Sequence, residues 1–206
     1  YLGGTTTPNS RIGNIKEGIH LPIVTYPLSD AASNNLGLPN EGNEINVYRA
    51  KEFLKLRTFP FGWSLMASPD DLDQEIKLEN LVKGMQLFEE ADVDFLEENK
   101  SCPNTGEGKP DYKTMFTEMR YVGDHFLKKR SIKNRERVVP VIVKLSNDIL
   151  VNDVPMILDV VFEAGYDGVN FGNTSVNYQE MRSRIHPQER TLFDYFTHTF
   201  KGGVSG

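Results

Sequence analysis

The run Val138-Val139-Pro140-Val141-Ile142-Val143-Lys144-Leu145 limits what this chain can become. A strand with one wet face alternates apolar and polar residues. A strand that is apolar throughout is covered on both sides, which is the habit of parallel sheets clad in helices. Shorter runs at 61–66, 93–97 and 167–172 read as further strands, and Tyr1–Thr7 as another that Pro8 stops. Between them, apolar residues recur at helical spacing. Residues 44–56 carry Ile45, Val47, Tyr48 and Phe53. A second helix opens at Ser68-Pro69-Asp70-Asp71 and carries Leu78, Leu81, Val82, Met85 and Phe88. Residues 112–130 carry Met115, Met119, Val122 and Phe126, and a helix from Asp153 carries Met156, Val160, Val161 and Ala164. Strand–helix alternation of this kind predicts an α/β fold of parallel βαβ units. Outside it, 8–18 reads as loop and 21–26 as a short antiparallel strand. Residues 33–42 hold too many turn formers for any element, and 174–200 reads as mostly loop with one short helix.

A doubly wound sheet and a (β/α)8 TIM barrel share that alternation. The polar residues favour the barrel. Ser64, Asn99 with Cys102, Lys144, and Asn173 with Thr174 each fall at the carboxyl end of a predicted strand, the rim on which barrels build their sites. An open sheet would gather its ligand groups at one switch point. With 206 residues against the roughly 250 of a complete barrel, the expectation is a single domain over 1–206 that is a partial barrel, lacking the first strand and the last two. Tyr1 does not look like a natural start.

Charge and composition narrow the function. The chain has 23 basic and 29 acidic residues, net −6, and only Lys128-Lys129-Arg130 cluster, so no nucleic-acid partner is expected. One cysteine suits a reducing, cytoplasmic setting. No apolar run reaches the ~20 residues of a membrane helix, although membrane association is not excluded on sequence. The four histidines, at 20, 125, 186 and 198, lack metal spacing, and surface positions are expected for them. No dinucleotide fingerprint follows a strand.

The groups that could carry chemistry sit on the loops. Asn99-Lys100-Ser101-Cys102-Pro103-Asn104-Thr105-Gly106-Glu107-Gly108 follows a strand and holds the only cysteine. A thiol with an ordinary pKa near 8.5 can act as a general base once hydrogen bonds or a cation lower that value; a half-buried thiol in a proline turn is the plain alternative. Lys144 ends an apolar strand, where it either snorkels to solvent or supplies a fixed cation to a cofactor that becomes negative on reduction. Asn34, Asn99, Asn104 and Asn173 offer both donors and acceptors, as a ring of amides and carbonyls requires, though each alone is commonly a turn residue. Gly202-Gly203-x-Ser205-Gly206 could form a backbone nest.

These segments resemble the dihydroorotate dehydrogenase family. Asn-x-Ser-Cys-Pro-Asn at 99–104 is similar to the active-site loop of its soluble, cysteine-based class; the membrane-associated class has serine there. Asn34-x-x-Gly37-Leu38-Pro39-Asn40 is similar to the loop that contacts orotate, Asn173-Thr174 to the pair after the sixth barrel strand, Gly202–Gly206 to a G-G-L-S-G segment that touches FMN, and Thr5-x-Thr7-Pro8 with Gly13-Asn14 to a segment near the flavin. The resemblance implies FMN-dependent oxidation of dihydroorotate to orotate in pyrimidine biosynthesis. It implies Cys102 as base and Lys144 beside the flavin. Thr5, Asn99, Lys144, Gly172, Ser205 and Gly206 would bind cofactor. Asn34, Gly37, Leu38, Asn99, Asn104, Asn173 and Thr174 would bind substrate. The family's carboxylate-binding lysine is not matched at Gly4 or Asn9, and Arg11 is expected to replace it, ahead of Lys100, which strand alternation turns away. The second electron acceptor is fumarate or quinone, and a homodimer is possible. The alternatives are a dihydropyrimidine dehydrogenase-like flavoenzyme, against which Asn104-Thr105 argues, and a non-catalytic barrel paralogue that binds a partner.

Overall fold

A computed structural model describes residues 1–15, 22–56, 58–100, 112–130 and 138–206. In chain order the elements are β1 (Leu2–Thr6), β2 (Ile23–Tyr26), β3 (Ala31–Asn34), α1 (Asn43–Leu54), β4 (Gly62–Leu65), α2 (Gln74–Glu90), β5 (Phe95–Asn99), α3 (Tyr112–His125), β6 (Val141–Lys144), α4 (Val154–Ala164), β7 (Gly168–Asn170), α5 (Tyr178–Arg184), α6 (Arg190–Phe200) and β8 (Gly203–Ser205).

Strands β1, β4, β5, β6 and β7 form one parallel sheet in that spatial order. Neighbours in space are successive along the chain, and α1 through α4 touch one another in the same sequence. That is barrel winding, with no reversal of strand order and so no switch point. The five strands make an arc of a (β/α)8 barrel; β1 and β7 are its two edges.

Pleating sorts the side chains. Leu65, Leu96, Val141 and Val143 are buried against the helices, where Leu81, Met85, Phe88, Met119, Val122, Ile157 and Val161 meet them. Burying one such side chain contributes about 1.5–3 kcal/mol. Trp63 belongs to this layer and stacks on Phe88 at 5.1 Å between ring centroids. The opposite, concave face carries Ser64, Glu97, Asn99, Ile142, Lys144 and Asn170, which share rows across the registered strands.

Two aspartates fix those rows at the amino ends. Asp94, just before β5, accepts from Phe61 N at 2.7 Å, and its own N–H donates to Phe61 O at 2.8 Å. Asp167, just before β7, does the same with Val141 at 2.8 Å in both directions. Arg130 reinforces the second pin, donating to Asp167, to Val139 O at 2.7 Å and to Gly165 O at 3.0 Å.

A second, antiparallel sheet of β2, β3 and β8 packs with α5 and α6 around Tyr26, Met181, Ile185, Phe193 and Val204. A bridge between Ser175 and Val204 joins it to the segment leaving β7.

Several expectations change. The second helix starts at Gln74, capped by Asp73, whose carboxylate accepts from Glu75 N at 2.9 Å and Ile76 N at 3.1 Å. Ser68 Oγ instead closes a tight turn by accepting from Asp70 N at 3.2 Å. In α1 the buried face is Asn43, Asn46, Val47 and Ala50, while Ile45 and Tyr48 face solvent and Phe53 joins Tyr1, Phe59 and Phe61 in an aromatic cluster. Residues 31–34 are a strand, because pairing with β2 and β8 overrides their turn propensity. Residues 174–200 hold two helices, α5 and α6, whose apolar stripes are narrow but close over Tyr26. Strand β5 runs on to Asn99, with Glu97 and Glu98 buried on opposite faces.

Candidate functional site

The concave face carries a continuous polar relay at the carboxyl ends of the strands. Asn99 Nδ2 donates to Thr5 Oγ1 at 3.0 Å, Thr5 Oγ1 lies 2.9 Å from Ser64 Oγ, and Ser64 Oγ donates to Glu97 Oε1 at 2.9 Å. From the other side, Asn170 Nδ2 donates to Glu97 Oε2 at 3.0 Å. Four strands thus meet on one carboxylate that is 2% exposed. Lys144 stands between Asn99 and Asn170 in the same row, half-buried, and its amine has no hydrogen-bond or ion-pair partner among the described residues.

The other face of β5 holds a second charged group. Lys100 Nζ lies 3.0 Å from Glu98 Oε1 and also pairs with Glu118; Tyr166 donates to Glu98 and Gln74 to Glu118. Burial alone would push the Lys100 amine down, but the two carboxylates outweigh it and hold the amine above its ordinary value. Burial would raise the Glu118 carboxyl, and Lys100 holds it below its usual range instead. Burial, with Glu98 alongside, pushes the Tyr166 hydroxyl well up. Lys100 therefore faces the helices, as strand alternation predicted.

Arg11 and the 34–40 segment form a third cluster. Arg11 and Asn40 exchange backbone hydrogen bonds of 2.8 and 2.9 Å, Arg11 Nε donates to Gly37 O at 3.2 Å, and the guanidinium pairs with Asp70 beyond β4. Asn40 staples the segment: its Oδ1 accepts from Thr6 Oγ1, Thr7 N and Gly42 N, and its Nδ2 donates to Thr7 Oγ1 and Leu38 O. Gly37 sits at φ +71, and a Cβ there would meet the Asn14 side chain at 2.5 Å, so glycine is required.

Of the residues expected to bind cofactor, Thr5 and Asn99 touch, with Lys144 beside them. Gly172, Asn173 and Thr174 follow β7; the buried Thr174 Oγ1 has no hydrogen-bond partner among the described residues. Asn34, paired in register with Gly203, lies on the small sheet, as do Ser205 and, just past β8, Gly206, both exposed beside Ala31 and Ala32. Gly37, Leu38 and Arg11 form the cluster tied to Asp70. Cys102 and Asn104 lie outside the described residues, as does His20; the other three histidines are exposed. Among the described residues no three His, Cys, Asp or Glu side chains gather as for a metal, and no helix is long and apolar enough to cross a membrane.

Glu97 and Asn170 are site residues that sequence reasoning missed. Glu97 was within reach, two positions before Asn99 and so on its face. Asn170 required the strand register.

A parallel arc with polar side chains gathered at the carboxyl ends of its strands is the layout of a (β/α)8-barrel protein. The family model for dihydroorotate dehydrogenase matches residues 2–206. The chain belongs to the dihydroorotate dehydrogenase family. It is 26% identical over 208 residues to a protein of Marinobacter nauticus named dihydroorotate dehydrogenase (quinone), covering 98% of this chain and 54% of that one. A Synechocystis protein of the same name is 28% identical over 187 residues, covering 89% and 45%. The ligand-free dihydroorotate dehydrogenase structure from Eimeria tenella matches the fold with a TM-score of 0.75 at 20% identity, over 98% of this chain and 56% of that one. The chain spans about half the length of the curated relatives it matches.

Proposed function

We propose that the chain forms the greater part of the site of an FMN-dependent dihydroorotate dehydrogenase, oxidising dihydroorotate to orotate in pyrimidine biosynthesis. The observation that carries this reading is the row of Asn99, Lys144 and Asn170, with Thr5 hydrogen-bonded to Asn99, on the concave face of the arc.

The residues present fit FMN. A half-buried lysine amine with no counter-ion among the described residues suits a ring that gains negative charge. Thr5, Asn99, Lys144, Gly172, Ser205 and Gly206 would hold it. Bound there, FMN supplies the acceptor for the hydride that leaves C6 of dihydroorotate. Cys102 takes the proton from C5, so the substrate loses a proton and a hydride and gains the ring double bond. Asn34, Asn99, Asn104, Asn173 and Thr174, with Gly37 and Leu38, orient the pyrimidine. Lys144 balances the negative charge that arrives. Arg11 grips the substrate carboxylate, sharing its guanidinium with the exposed Asp70. A quinone would be the final electron acceptor; the names of the relatives support that choice, although the cysteine resembles the soluble class.

The test is stopped-flow reduction of the full-length protein. Dihydroorotate reduces the bound flavin, and Cys102→Ala slows that step by about 10²–10⁴-fold. Reduction by dihydrouracil but not dihydroorotate overturns the substrate, and an unchanged rate in Cys102→Ala removes the cysteine.

A further inference from the structure

Two fixed points hold the chain where it leaves the last strand of the arc. The first is Asn170, at the end of β7, whose carbonyl accepts from Leu145 N at 2.8 Å. The second is the pair Ser175 and Val176. Asp148 Oδ1 accepts from Ser175 Oγ at 2.5 Å, and Asp148 Oδ2 accepts from Val176 N at 2.7 Å. Between the two points lies a short arch, 171–174, with Asn173 and Thr174 at its far end. Both points belong to one strap, 144–148, that begins with Lys144. The arch is therefore hung at each end from the segment that carries the lysine.

The clasp at the far end has a fixed sense. Ser175 Oγ accepts from Asn177 N at 3.0 Å, and the one hydrogen of the hydroxyl goes to Asp148. Asp148 is steadied in turn by its own N–H, which donates to Ser146 Oγ at 3.1 Å. The backbone of Ser175 exchanges bonds of 2.8 and 2.9 Å with Val204, but these tie it to the small sheet. The carboxylate of Asp148 ties it to the arc. Bonds to a charged acceptor are the stronger kind, which suits a joint that must keep its geometry when a ligand binds.

We propose that Asp148 is a positioning residue that sets where Asn173 and Thr174 stand relative to Lys144. That these two side chains meet the pyrimidine rests on the function proposed above; the clasp does not. Asp148→Asn keeps the shape and halves the acceptors, since one carboxamide oxygen now faces two donors. If that oxygen keeps Val176 N–H, the Ser175 hydroxyl hydrogen loses its acceptor. If it keeps the hydroxyl, an NH2 opposes the Val176 N–H. Either way the far end of the arch is loosened, while Leu145 still holds Asn170.

The experiment uses full-length, FMN-loaded protein. Hydrogen exchange read by mass spectrometry reports the clasp without any ligand, and orotate titration reports its consequence. Asp148→Asn is expected to speed exchange over 171–177 and to leave β6 unchanged. It is expected to weaken orotate binding by about ten- to a hundredfold. A double-mutant cycle separates positioning from a general loss of structure. In a protein that already carries Asn173→Ala, Asp148→Asn is expected to weaken orotate binding far less, because it acts through the arch. A general loss of structure would weaken binding alike in both backgrounds. Should Asp148→Asn fail to fold, Ser175→Ala releases one side of the clasp, leaves Val176 on the carboxylate, and is read by the same cycle. Where the wild type binds orotate, unchanged exchange over 171–177, unchanged orotate binding, or an equal loss in the two backgrounds overturns the inference. Faster exchange over 171–177 in a protein whose wild type does not bind orotate upholds the clasp and overturns the proposed substrate.

Discussion

Replacing Lys100 with methionine tests the charged group on the outer face of β5. The lysine amine serves two carboxylates, but the loss falls unevenly. Glu118 keeps its bond from Gln74 and is 16% exposed at the side chain, so water can take over part of the role. Glu98 is 1% exposed, and its buried Oε1 has no hydrogen-bond partner among the described residues apart from the 3.0 Å ion pair with Lys100. Among the described residues Glu98 then keeps the Tyr166 hydroxyl alone. The expected cost is therefore that of one buried charge stripped of its partner, about 3–5 kcal/mol at neutral pH. The pH dependence has a definite sign. Glu118, held low in the folded wild type by Lys100, contributes stability above its unfolded value that is lost as pH falls through its folded value. Removing Lys100 removes that contribution, so wild type and variant converge on acidification. Urea unfolding of the full chain from about pH 3 to about pH 7 measures this, and a penalty under about 1 kcal/mol that is flat across that range would refute the assignment. Changing Glu98, Lys100 and Tyr166 together to leucine, leucine and phenylalanine is expected to cost far less than Lys100→Met, because the fully buried Glu98 charge is then gone and the partly exposed Glu118 alone loses its partner.

Asp73→Ala removes the cap that accepts from Glu75 N and Ile76 N, and urea unfolding is expected to show a loss of about 0.5–2 kcal/mol. Asp70→Asn takes the competing carboxylate from Arg11; titration calorimetry is expected to show tighter orotate binding, and Arg11→Ala to show binding weaker by well over tenfold, as loss of a partner worth roughly 2–5 kcal/mol demands.

Much of the arc was written in the local sequence. The Val138–Leu145 run and the stripe of Leu78, Leu81, Val82, Met85 and Phe88 each declare an environment, covered strand or one-sided helix, that needs no knowledge of neighbours. The misreadings came where two local signals compete. Ser68-Pro69 and Asp73 both look like helix starts. Ser68 is 3% exposed at the exit of β4, and its hydroxyl is committed to Asp70, so the later aspartate takes the cap. In α6, Thr-Leu-Phe-Asp-Tyr-Phe-Thr-His-Thr-Phe is poor in strong helix formers, and its burial of Phe193 depends on Tyr26, far away in sequence. The site shows the same division. The candidates on loops were visible as residue types out of place. Glu97 and Asn170 are separated by 73 positions, and only the pairing of β5, β6 and β7 brings them together.

The aspartate pins at 94 and 167 make the arc modular in a useful sense. Each sets a zero point for one pair of strands, β4 with β5 and β6 with β7, at the pole away from the chemistry. Since a slip by one residue exchanges the two faces of a strand, these zero points decide that Ser64 meets Glu97 and that Lys144 stands beside Asn170. Length changes in the connections at the carboxyl ends need not propagate past them. The loops that choose a ligand can then be lengthened, shortened or exchanged between homologues while the rows beneath keep their alignment, so the reactive pole is free to vary because the other one is held.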